Sequence, residues 1–251
     1  MKNTVTKLLQ ISGALGLMLT SFESAAQTTD TSSVFKNQVK LNLPALFLKN
    51  FSFSYERTVS KNIAVGLGIR FAPSATLPFQ AQIESIVDDE EAYERIKNFK
   101  TSNFSITPQV RFYLGKQAFQ GFYVAPFASY SAFNASGPYR FSSDAGDLDI
   151  PLSGDVTTLT GGILIGSQFN IGSRFGLDIY IGPNYGSLSG SISGSKTLTA
   201  DEQNGLRNSL ADLDEIPMIK TKYTVNSAGA TIDLDGNWPG LRAGISVAYK
   251  F

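Results

Sequence analysis

The chain has 251 residues, and its 21 Lys and Arg balance 21 Asp and Glu, so a broad basic surface for nucleic acid is excluded. It contains neither Cys nor His, which removes disulfides, thiolate metal sites, His-based nucleophile systems and the usual zinc ligands. With 23 Gly, 18 Phe and 10 Tyr but only 17% charged residues, the composition points to many short strands.

The N-terminus has the layout of an export signal: Lys2 and Lys7, an apolar run over residues 8–19, then Ser24, Ala25 and Ala26 before a cleavage point after Ala26. The expected organisation is therefore a cleaved signal peptide, residues 1–26, and a β-barrel, residues 27–251. The apolar run falls short of the roughly 20 residues a spanning helix needs, and no later run reaches that length. Any membrane insertion has to use strands.

From about residue 38 onward the apolar residues recur with period 2. The strands expected are about 39–48, 51–59, 63–71, 104–114, 122–133, 159–171, 175–185 and 241–251. In the last of these Leu241, Ala243, Ile245, Val247, Tyr249 and Phe251 alternate with Arg242, Gly244, Ser246, Ala248 and Lys250. Short turns at 60–62, 115–121 and 172–173 alternate with long excursions at 73–101, 135–156 and 194–239, as in an up-and-down barrel inserted from one side. The fold class expected is all-β, an eight-stranded antiparallel up-and-down transmembrane β-barrel with long extracellular loops containing short helices. Two loop stretches are expected to be helical: residues 80–99, which lack Gly and Pro, and residues 199–214, which open with the capping box Thr199-x-x-Glu202.

Charge follows the same division. Beyond the signal, only Asp30, Glu56 and Asp178 of the acidic residues lie outside the three long excursions. The strands are almost free of carboxylates, as a wall in lipid requires. The face opposite the apolar one carries Lys40, Glu56, Arg70, Arg111, Asp178, Arg242 and Lys250. Because side chains just fill an eight-stranded barrel, these charges are expected to pair, with Lys40, Glu56, Arg70, Arg111, Asp178 and Arg242 forming an ion-pair network in the lumen. Small inward Gly66, Gly68, Gly162 and Gly166 are expected to make room for neighbouring Arg and Tyr side chains. The acidic run Asp88-Asp89-Glu90-Glu91 reads as a solvated loop before it reads as a cation site, and Asp233-Leu234-Asp235-Gly236-Asn237 as a turn before a calcium loop. No catalytic residue, metal or cofactor is expected.

The C-terminal strand ending in Phe251, with Tyr249, Val247 and Ile245 on the same face, resembles the recognition signal read by the barrel-assembly machinery of bacterial outer membranes. The stretches from Lys40 (KLNL), Phe53 (FSYER), Val65 (VGLG) and Pro108 (PQVRFYLG) resemble a family of uncharacterised small outer-membrane barrels of Bacteroidota, of the OmpX and OmpA eight-stranded type. The resemblance implies a cell outer-membrane location, contact with outer-membrane lipid and lipopolysaccharide, and no nucleic-acid partner; an extracellular partner stays unidentified. The role expected is structural or surface-interacting, through acidic loops and without an open pore or an enzymatic activity. Two other readings stand beside it: a lipid-modifying enzyme working without His, through Ser/Lys or Asp/Glu, and a soluble lipocalin-like periplasmic carrier.

Overall fold

The computed structural model describes residues 35–76, 98–144, 146–211 and 218–251. The export signal, the 80–97 part of the first expected helix and the Asp88–Glu91 run lie outside these residues.

Alternation of apolar and polar residues builds ten strands: β1 (Asn37–Asn42), β2 (Phe51–Ser60), β3 (Ile63–Thr76), β4 (Lys100–Tyr113), β5 (Gly121–Ser143), β6 (Gly146–Ile171), β7 (Phe175–Ser195), β8 (Ile219–Asn226), β9 (Gly229–Asn237) and β10 (Gly240–Lys250). Each of β1 to β7 pairs antiparallel with its sequence neighbour, and β10 pairs with both β7 and β1, from Gln38 opposite Lys250 to Asn42 opposite Ser246. The pairing closes a ring of eight strands, β1 to β7 and β10, which leaves the ring no edge. Main-chain bonds between Asn37 and Phe251, at 2.9 and 3.1 Å, finish the seam.

Two helices interrupt the strands. In α1 (Leu43–Phe47), Asn42 caps by accepting from the Ala45 amide at 3.1 Å and Pro44 occupies the first turn, where its missing N–H costs nothing. This corrects the strand expected over 39–48, which stops at Asn42. Helix α2 (Ala200–Ala211) is opened by the expected box: Glu202 Oε2 accepts from the Thr199 amide at 2.7 Å, and the Glu202 amide donates to Thr199 Oγ1 at 3.4 Å.

The long excursions differ most from expectation. Residues 135–156 are the upper halves of β5 and β6, whose pairing continues from Ala135 opposite Gly154 to Ser143 opposite Gly146. Residues 194–239 hold α2 and the hairpin β8–β9, and β9 pairs with the far half of β7. Asp233 and Asp235 accordingly sit in a strand, opposite Lys222 and Lys220, instead of in a turn. On the inner side of this extension Tyr139, Phe141, Ile150, Leu152, Val225 and Ile232 pack against Leu206 and Leu210 of α2. The extension has a hydrophobic core of its own, above the ring.

Outward side chains of the ring form a band. At the short-turn end it carries Phe112, Phe122, Phe169, Phe175, Tyr249 and Phe251, and toward the long-loop end Phe51, Phe71, Phe104, Tyr130, Tyr185 and Trp238; all are exposed. Between them lie exposed aliphatic residues, among them Val65, Leu67, Ile69, Ile163, Ile179 and Ile245. Along β7 from Phe175 to Tyr185, a rise of about 3.3 Å per residue and a tilt near 40° give a band about 25 Å tall.

Candidate functional site: the charged lumen

The ring turns alternate residues inward, and this brings four charges from four strands together: Lys40 on β1, Glu56 on β2, Arg111 on β4 and Asp178 on β7. Lys40 Nζ lies 3.1 Å from Glu56 Oε1 and 2.8 Å from Asp178 Oδ2. Arg111 Nε lies 2.9 Å from Glu56 Oε1, an ion-pair separation without hydrogen-bond alignment, and its Nη1 donates to Asp178 Oδ2 at 2.8 Å. Each cation touches both anions, so the quartet is closed and neutral. All four side chains are buried, with Glu56 and Asp178 at 0% exposure.

The remaining lone pairs of the carboxylates are also taken. Gln38 and Gln109 amides donate to Glu56 at 2.6 and 3.0 Å, and the Tyr123 hydroxyl donates to Asp178 Oδ1 at 2.7 Å. Gln168 links the layer below, exchanging bonds with Gln38 and accepting from Tyr113. The Arg111 guanidinium stacks on the Tyr123 ring at 4.3 Å. Tyr113, Tyr123 and Phe119 then close the short-turn side, with Tyr113 edge-on to Phe119 at 6.3 Å. Phe119 takes a left-handed φ of 67°, a strained position that its burial and the Ala118 amide bond to the Lys61 carbonyl at 2.7 Å hold in place.

Two glycines show why this packing fits. A Cβ on Gly66 would meet Glu56 Cγ at 2.8 Å, and one on Gly166 would strike the Tyr123 hydroxyl and come within 2.7 Å of the Ile179 carbonyl. The approach to Tyr123 at Gly166 is of the kind expected from the sequence, whereas at Gly66 the neighbour is Glu56 and not an Arg or Tyr side chain.

The other charges expected in the network lie apart from the quartet. Arg70 on β3 donates from Nη2 to Ser105 Oγ at 3.2 Å, and Arg242 on β10 donates from Nη1 to Thr107 Oγ1 at 3.3 Å. Neither makes an ion pair among the described residues, because the ring has only two inward carboxylates and the quartet takes both. Lys250 bonds Asn170 Oδ1 at 2.7 Å at the short-turn rim. Gln109 is placed on the inward face with Arg111 by the alternation of its strand, but its part in the network, like that of Gln38 and Gln168, is not apparent from the sequence. Their signal was period 2: each shares a face with Lys40, Arg111 or Leu164.

Among the described residues no group of three or more potential metal ligands occurs. The arrangement is a set of saturated ion pairs, and what it does chemically is fill and lock the ring.

Fold and lumen define a closed eight-stranded antiparallel β-barrel with a charged interior. Residues 14–191 match the family described as proteins of unknown function, DUF3575, and the chain belongs to that family. No curated protein matches the chain. Among solved structures it is similar to the N-terminal β-barrel domain of Pseudomonas aeruginosa OprF, at 10% identity and a TM-score of 0.33, covering 86% of this chain and 97% of that one. It is similar as well to the translocator domain of the autotransporter NalP from Neisseria meningitidis, at 11% identity and a TM-score of 0.38 over 99% and 98% of the two chains. A third similar structure is the outer membrane protease OmpT from Escherichia coli, at 9% identity and a TM-score of 0.37 over 86% and 92%.

Proposed function

We propose that this chain is a small outer-membrane barrel without an open pore, of the OmpX and OmpA size, that presents its extension beyond the long-loop rim to the cell exterior as a structural or surface-interaction element. The observation that carries the reading is the pairing of an apolar outer band, about 25 Å tall and edged by aromatic residues, with a charged and saturated interior. A bilayer core is the solvent that such an outside requires. A soluble lipocalin-like carrier needs the reverse, an apolar interior and a polar exterior. A lipid-modifying enzyme would need a free nucleophile and base, and the inward carboxylates here are fully engaged by Lys40, Arg111 and Tyr123.

Insertion would follow from the C-terminal strand. Tyr249 stacks with Phe251 at 6.3 Å and packs on Phe175 at 5.4 Å on the outer face, where the barrel-assembly machinery could read it. The exterior would carry Asp147, Asp149, Asp155 and Asp201, toward lipopolysaccharide or a partner.

The test is fractionation with protease added to intact cells. The protein is expected in the outer-membrane fraction as a band whose gel mobility changes on heating. Trypsin is expected to cut on the long-loop side, within residues 80–100 or at Lys196 between β7 and α2, and to spare Lys61 and Lys116 at the short turns. Recovery in the soluble periplasm, or cleavage at Lys61 or Lys116, would overturn the reading.

A further inference from the structure

Arg70 and Arg242 reach the same place from opposite sides of the ring. Strands β10 and β4 lie across the lumen from each other, and β3 adjoins β4. Arg242 crosses to Thr107, while Arg70 takes Ser105, two residues along the same inward face. The Nε atoms of both are buried and have no hydrogen-bond partner. Both residues are part-buried, and two guanidinium groups with no carboxylate between them among the described residues repel each other unless an anion neutralises them.

Among the described residues the surroundings offer donors and no competing acid. A cavity of about 20 Å³, room for a water-sized group, is lined by Arg242 together with Lys40, Arg111, Tyr180, Ser52 and Ser246 and by no carboxylate; Arg70 does not line it but lies beside it, across the strand pair from Ser52. Gly68, without a side chain, forms part of its wall. The Tyr180 hydroxyl accepts from Asn42 Nδ2 at 3.1 Å and keeps its own proton to donate. The site is at the long-loop end: Arg70 pairs with Ser52, next to the start of β2, and Arg242 is two residues from the start of β10. The quartet seals it from the short-turn side.

We infer that the mouth of the barrel is a binding site for a small oxyanion, a phosphate or carboxylate group of a solute entering from the long-loop side, held by the guanidinium forks of Arg70 and Arg242. The planar forks suit two oxygens of one such group, whereas a halide offers a single point of contact. Because the quartet lies beneath it, the site binds and does not conduct.

Inorganic phosphate and acetate, titrated by calorimetry into the folded protein in a nonionic detergent at constant chloride, test the inference and tell the two sources of the oxyanion apart. Saturable binding of at least one is expected, weakened about tenfold or more in Arg70→Gln and in Arg242→Gln, and unchanged in Lys250→Gln. In anion-free buffer the two arginine variants are expected to unfold at the same denaturant concentration as the parent or higher, since each relieves a like-charge pair. The inference is overturned if neither probe binds, if binding survives Arg70→Gln with Arg242→Gln, or if chloride displaces the probe at equal concentration. Failure of the single variants to fold would also overturn it, by making the arginines structural supports. The outcome is independent of where the protein fractionates.

Discussion

Glu56 shows how much of the ring's stability rests on single inward residues. Four groups converge on it, from Lys40, Arg111, Gln38 and Gln109, and no solvent reaches it. Glu56→Gln keeps the shape but leaves two cations to one carboxylate and turns an amide N–H₂ toward groups that all donate. Loss of one partner from a buried pair costs about 3 to 5 kcal/mol. Because a water-sized cavity borders Lys40 and Arg111, a fall toward the lower end of that range is expected in unfolding by urea from micelles, against a much smaller shift for the outward Leu67→Ala. Gly166 tests packing separately from charge. Its missing Cβ leaves room for the Tyr123 hydroxyl and the Ile179 carbonyl, so Gly166→Ala is expected to cost about 1 to 3 kcal/mol in the same measurement. At Gly68 the nearest atom to a new Cβ is 3.6 Å away, so Gly68→Ala is expected to be neutral or slightly stabilising through the unfolded chain.

At the scale of elements, α2 depends on a carboxylate beyond the apolar band of the ring. Glu202 accepts the Thr199 amide, and this bond holds its carboxyl below the ordinary value of 4.5. A lowered folded-state pKa means that the cap stabilises fully above about pH 4.5 and is lost as pH falls through the lowered value. The Thr199 amide proton is expected to titrate in that acid range by NMR, and Glu202→Gln to abolish the titration while the ring stays folded. Thr199-x-x-Glu202 was legible in the sequence because a capping box is local. The ring strands were legible for a related reason: an apolar outer face and a charged interior impose strict alternation. The extension was not, because above the band Gly, Ser, Thr and Asp replace the apolar residues of the outer face. Only the inner half of the alternation survives there, as Tyr139, Phe141, Ile150 and Leu152. α1 was missed where Asn42, an inward strand residue, also serves as the cap that ends β1. In the lumen, sequence identified the inward charges but not their partition, since which cations meet Glu56 and Asp178 depends on strand stagger around the whole ring.

For the molecule as a whole, that stagger decides whether anything can pass. Eight strands leave an interior that side chains just fill. Here two different layers fill it: the ion-pair quartet, and beneath it the aromatic floor of Tyr113, Tyr123 and Phe119, each at 1% exposure or less. They are linked by the Tyr123 bond to Asp178 and the Tyr113 bond to Gln168. Planar-bilayer recordings of the parent protein are therefore expected to show no steady conductance. Shortening the quartet to serine at Lys40, Glu56, Arg111 and Asp178 removes buried charge in a balanced way and is expected to leave the bilayer silent, because the aromatic floor remains. Adding Tyr113→Ala and Phe119→Ala opens the floor and is expected to give small, steady currents at the single-channel level, provided the variant still shows heat-modifiable mobility. Current from the quartet variant alone would mean that the floor does not seal and that the four charges are the only gate.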